Sequence, residues 1–170
     1  MKNELINEVQ RTAVELLRVI DSFQQDEFNE VPYKDSWTPG QVVEHVFLSV
    51  DGILKTVNDN TGPTERDPGQ WVAPLRDAFL NFNIKMQSPD FILPSADLKD
   101  KQILLGKMKD TWEGLARTAA ASDLEASCLD FDMPTIGKLT RLEWISFAVA
   151  HTQRHILQLK KMTAITGVTK

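Results

Sequence analysis

The stretch from Leu142 to Met162, LEWISFAVAHTQRHILQLKKM, constrains this chain more than any other. It contains no Gly or Pro, and just over half of it is apolar, so it can run as one uninterrupted helix. Trp144, Ala148, His151, His155, Leu159 and Met162 follow one another at steps of three or four, the spacing of a single helix face. Such a face needs other apolar helices to cover it. His151 and His155 sit inside it, one turn apart, and a polar ring in a core-facing row needs a partner. They are two of three histidines; the third, His45, lies in another apolar stretch of helical spacing. Two readings are open: three core histidines with ordinary partners, or one metal site shared between two helices.

The rest of the chain supplies the covering helices. Leu5, Ile6, Val9, Ala13, Leu16, Leu17, Ile20 and Phe23 predict an amphipathic helix over about residues 3–24. Gln24 to Ser36 reads as a polar loop from which Phe28, Val31 and Tyr33 tuck inward. Trp37-Thr38-Pro39-Gly40-Gln41 is a helix start: Thr38 caps, Pro39 loses nothing at the first helical position, and Gln41 completes a capping box. That second helix runs to about Val57, with Val42, Val46, Val50, Ile53 and Val57 as its stripe and His45 on the stripe's border. Asn58 to Gln70 is turn-rich, Trp71 to Met86 predicts a short extra helix, and SPDFILPS (Ser88 to Ser95) predicts an extended connection. A link of roughly 40 residues exceeds ordinary loop lengths and reads as a lid or wall over the site. A third long helix is expected from about Leu98 or Lys99 to Ala121, and a fourth, opened by the Thr140–Glu143 capping box, from about Thr140 to Thr163. The expected fold is all-α: a four-helix bundle in one domain over residues 1–170, with a short extra helix in the connection between the second and third long helices; the main alternative is an irregular all-α fold of five or six helices.

Composition narrows the function classes. A net charge of −5 and no visible basic patch argue against a nucleic-acid partner. The chain has no run of ~18 apolar residues to span a membrane and no signal-peptide core near its start. A single cysteine, Cys128, forbids an intrachain disulfide and fits a reducing, cytoplasmic setting. Acids near Cys128 in EASCLDFD would raise its pKa, which disfavours a nucleophilic role.

If the histidines meet, they suit a divalent transition metal such as zinc or nickel. Three protein ligands with an open position are the pattern of catalytic rather than structural zinc sites. HTQRH lacks the Glu of the zinc-protease helix, no Glu-x-x-His occurs, and there is no C-x-x-C, P-loop or dinucleotide fingerprint. Gly40 and Gly137 read as turn residues. Trp112, Trp144 and Phe147 read as core. Glu143 and Gln41 read as capping groups, and Gln41, one turn before His45, is also a candidate for holding a ligand or water from behind. Arg154 is expected at the surface, solvated or paired, or at a cleft mouth holding a carboxylate.

WTPGQVVEH in the second helix, EWISFAVAHTQRHILQL in the last, the PDFILPS link and the GKLT approach to the last helix together resemble the DinB-like superfamily, especially its small metalloenzymes related to bacillithiol transferases. The resemblance spans essentially the whole chain. It implies an up-down-down-up bundle, a metal held by His45, His151 and His155, and frequent homodimers. It also implies activity toward small molecules: transfer of a low-molecular-weight thiol onto an electrophile. Alternatives are hydrolysis by a metal-activated water, or a non-catalytic, stress-related bundle with a structural metal.

Overall fold

The computed structural model of the chain describes residues 2–166. Among them run five α-helices: α1 (Lys2–Asp21), α2 (Pro39–Asn58), α3 (Val72–Leu80), α4 (Lys101–Ala121) and α5 (Arg141–Thr166). Single 3-10 turns cover Glu27–Asn29 and Asp90–Ile92, and two-residue strands β1 (Thr61–Gly62) and β2 (Ser127–Cys128) pair antiparallel.

The four long helices form a bundle in which α1 and α2 each pack against both α4 and α5. Cross-helix bonds give the directions. Lys2 near the start of α1 reaches the carbonyl of Ser122 just past α4, and Lys101 at the start of α4 reaches Phe23 just past α1, so these two are antiparallel. Asn58 and Thr118, both near C-terminal ends, bond to each other across α2 and α4, which are therefore parallel. Arg141 at the start of α5 donates to Val57 near the end of α2, while Gln153 and Lys160 meet Thr12 and Glu15 of α1. The topology is up-down-down-up. It explains the long link: α2 and α4 run the same way, so the chain must travel back along about 30 Å of helix before α4 begins.

Fully buried side chains fill the interior: Val9, Leu16 and Ile20 of α1, Val42, Val46, Val50 and Val57 of α2, Met108 and Leu115 of α4, Ile145, Leu159 and Met162 of α5. Every residue of α5 from Leu142 to Thr152 is buried, more than one stripe accounts for. The reason is α3, which packs on α5 and covers the side away from the bundle interior.

Several boundaries differ from the sequence reading. The helix expected to reach Met86 stops at Leu80, where the Asn81 side chain accepts from the Asn83 N–H and turns the chain away. α4 starts at Lys101 because Asp100, not a residue before it, caps the Ile103 N–H; Leu98 is 84% exposed. α1 ends at Asp21, and α5 reaches Thr166. Phe28 is buried as expected, but Val31 and Tyr33 point outward at 60% and 47% exposure. The segment SPDFILPS contains a 3-10 turn rather than being wholly extended. Both capping boxes form: Thr38 with Gln41, and Thr140 with Glu143. No described helix is long and apolar enough to cross a membrane.

Candidate metal centre

α2 and α5 are antiparallel neighbours, so His45, in the second turn of α2, faces the middle of α5, where His151 and His155 stand one turn apart. The three rings meet at centroid separations of 4.6–5.0 Å. His45 and His151 are buried at 2% and 4% exposure, and His155 is half-buried. His151 Nε2 lies 3.1 Å from His45 Nε2 and 3.2 Å from His155 Nε2.

Proton accounting shows what this cluster wants. His45 Nδ1 lies 2.9 Å from the Ile92 carbonyl, which can only accept, so Nδ1 carries the hydrogen. His155 Nδ1 lies 2.8 Å from Gln158 Oε1 and carries its hydrogen for the same reason. Both rings then present bare Nε2 lone pairs toward His151 Nε2. A hydrogen on that atom serves one of them and leaves the other without a donor, and with the hydrogen on His151 Nδ1 three lone pairs face one another. His151 Nδ1, for its part, is buried without a partner. A cation at the meeting point of the three Nε2 atoms resolves the conflict. Two nitrogens bound to one tetrahedral zinc stand about 3.3 Å apart, close to the separations observed here.

The surroundings keep the rings in the ligating form. Burial lowers the pKa of His45, against a smaller upward pull from the Ile92 carbonyl. Burial, reinforced by the other two histidines and Arg154, holds His151 well below the usual histidine range. Burial and then His45 lower His155 to about 4. All three are neutral near pH 7. No Asp, Glu or Cys among the described residues joins the group, and the three histidines lie close enough to hold a metal ion.

The three histidines line a cleft of about 1490 Å³. Trp37 stands against His45 at 5.2 Å between centroids, and Phe79 and Phe147 against His151 at 5.8 and 5.6 Å. Trp144 and Phe147 are thus buried as expected, yet they line the site. The wall opposite the bundle comes from the α2–α4 link.

The sequence model of the DinB superfamily matches residues 8–159. The chain belongs to the DinB superfamily. Among solved structures, the four-helix bundle protein TT2238 is similar in fold, with 18% identity and a TM-score of 0.59 over 95% of this chain and 99% of that one. No curated protein matches the chain.

In this DinB-superfamily chain, residues beyond the histidines hold the site in shape. Arg154 is neither free at the surface nor paired with an acid. It lines the cleft and donates to the carbonyls of Phe79 (3.1 Å), Asn81 (3.0 Å) and Ile84, with its guanidinium over the Phe82 ring. It thereby caps the C-terminus of α3 from another helix and meets the negative end of that helix with a cation. Gln41 uses Oε1 on the Thr38 N–H and Nε2 on the Ser95 carbonyl, fastening the link to the start of α2. The partners the structure gives to the back of the rings are Ile92 and Gln158. Gln158 was legible as a polar residue one turn from His155; a main-chain carbonyl such as Ile92 leaves no side-chain signal.

Glu143 is more than a cap. Its fully buried carboxylate accepts from both Arg66 Nη atoms (2.7 and 2.6 Å) and from the N–H groups of Trp71 and Thr140 (2.9 Å each). It joins the turn-rich part of the link to the start of α5. Gly40 is not a turn residue: a Cβ there would stand 2.9 Å from Lys99 Cβ and from the Phe28 carbonyl. Gly137 does serve a turn, at φ +92°. Cys128 is buried, and burial more than the nearby Asp130 pushes its thiol up to about 11.

Proposed function

We propose that this chain is a metal-dependent enzyme that transfers a low-molecular-weight thiol to an electrophilic carbon, with His45, His151 and His155 holding a divalent zinc or nickel ion. The observation that supports the reading is the convergence of three Nε2 atoms, two of the rings braced from behind, at an open cleft, with no Asp, Glu or Cys joining them among the described residues. A bound divalent ion supplies Lewis acidity that lowers the pKa of a thiol or water beside it. The chain's own part is to keep its imidazoles neutral, to exclude bulk water with Trp37, Phe79 and Phe147, and to orient the electrophile along the cleft. In the reaction the sulfur forms a bond to carbon and, for an epoxide, the C–O bond opens and the thiol proton ends on the alkoxide. With a halide the carbon–halogen bond breaks and the halide and the thiol proton leave; with an unsaturated carbonyl the sulfur adds to the β carbon and the thiol proton ends on the α carbon. The homodimer expected for such chains belongs to the proposal, and sedimentation of the purified protein checks it.

The deciding experiment has two stages. Elemental analysis of tag-free protein is expected to find about one equivalent of zinc or nickel in wild type and little in His45→Ala. Thiol consumption with a model epoxide is then compared between wild type and His151→Ala. Turnover no greater in wild type refutes transfer for that pair. Ester or amide hydrolysis without thiol consumption would favour a metal-activated water instead.

A further inference from the structure

The cleft has a directional lining. Phe91 stands at its mouth at 65% exposure, next to Phe131 at 37%. From there the rings continue inward through Trp144 and Phe147, both buried, to His151. The four steps are 5.9, 5.8, 6.0 and 5.6 Å between centroids, each within the range of aromatic contact. Phe79 completes the inner end, edge-on to Phe147 at 4.8 Å. The rings of the ladder tilt against one another by 40–72°. The indole Nε1 of Trp144 is buried with no partner beside this path. Large aromatic side chains left exposed around a concave site mark a surface that apolar material covers in use.

We infer that the electrophile taken by this cleft carries a planar aromatic ring, seated along the ladder that runs from Phe91 to Phe147 with its reactive carbon toward the histidines. The inference rests on reading the histidines as the reaction centre. Flat rings can stack offset on one step and meet the edge of the next. Each such contact adds about two- to tenfold in affinity beyond what buried area alone provides. An aliphatic chain of equal area gains the area term only. The class is therefore aryl epoxides, aryl halides and aryl-conjugated carbonyls rather than their alkyl counterparts.

The test uses the full chain, as purified and after chelation, titrated with naphthalene-2-sulfonate and with octane-1-sulfonate. The shared sulfonate cancels any contribution from Lys85 and Lys161 at the rim. The aromatic probe is expected to bind about tenfold tighter. Phe131→Leu should cost it about fivefold and leave octanesulfonate unchanged, and Phe91→Leu, at the more exposed step, repeats the test should the first variant misfold. In the proton–nitrogen spectrum the Trp144 indole signal should move on binding while that of Trp112, buried in the core, stays. Equal affinities, no binding of either probe, or aromatic binding indifferent to both leucine variants overturns the inference. Aromatic preference without thiol turnover on any electrophile refutes the proposed reaction and leaves the cleft assignment standing. Turnover of 1,2-epoxyhexane as fast as styrene oxide does the reverse.

Discussion

Removing the Glu143 carboxylate tests whether the α2–α4 link is held to α5 by one buried ion pair. Glu143 is fully buried and Arg66 is 27% exposed, so the pair sits well out of solvent. Its hydrogen bond to Glu143 is the main reason the Arg66 pKa is raised. Glu143→Ala leaves the guanidinium without its carboxylate and strips the Trp71 and Thr140 N–H groups of their acceptor. Breaking a buried pair from one side costs about 3–5 kcal/mol, and each orphaned N–H adds on the order of 1 kcal/mol. A loss of about 5 kcal/mol lowers Tm by about 10–20 °C in a chain of this size. Arg66→Met keeps the two N–H bonds but strands the carboxylate, at a cost of about 3–4 kcal/mol. The double variant Arg66→Met/Glu143→Ala removes both charges together. It should lose about 2–3 kcal/mol less than the two single losses combined. Urea unfolding followed by tryptophan fluorescence gives all four corners of the cycle. A coupling below about 0.5 kcal/mol would show that the two residues act independently and that the carboxylate is only a helix cap.

In chelated protein, unfolded His155 binds a proton near pH 6.5 while the folded residue resists until about 4, so the unfolded state holds more protons in between. Stability is fully present above about pH 6.5 and falls by about 3 kcal/mol toward pH 4 from this residue alone. Urea melts of wild type and His155→Gln should show a gap that changes across that window; a constant gap refutes it. Gly40→Ala should destabilise by about 1–3 kcal/mol despite the better helix former, because the Phe28 carbonyl cannot retreat. Gly106→Ala, in open space on α4, should instead gain up to about 1 kcal/mol, and thermal melts of both decide. Native Cys128 should resist iodoacetamide at pH 8 and react only in denaturant, as mass spectrometry can show; rapid native labelling would contradict its burial.

What could be read from the sequence was local. Thr38 with Gln41, and Thr140 with Glu143, announce helix starts because capping acts within one turn. The four-residue step from His151 to His155 put both rings on one face, and the apolar rows placed the long helices. The helix directions came only with the family resemblance, since periodicity does not say which way a helix runs. Contacts across the link were hidden. Arg66 reaches Glu143 over 77 residues, from a run that reads as solvated turn. The sequence places Arg154 either at the surface or at a cleft mouth holding a carboxylate; it lines the cleft, but its partners are main-chain carbonyls, which every residue has. The pairing of β1 with β2 escaped notice because two-residue strands carry no period.

The wall of the cleft is gripped through its backbone. Arg154 holds the carbonyls of Phe79, Asn81 and Ile84, and His45 holds that of Ile92. Carbonyl acceptors survive any exchange of side chain, proline included. Residues such as Met86, Phe91 and Leu93 are therefore free to drift without loosening the grip or disturbing the histidines. The bundle works as a fixed chuck and the link as an exchangeable bit. A lineage, or a library randomised at those three positions, can change what the cleft admits while inheriting the centre intact.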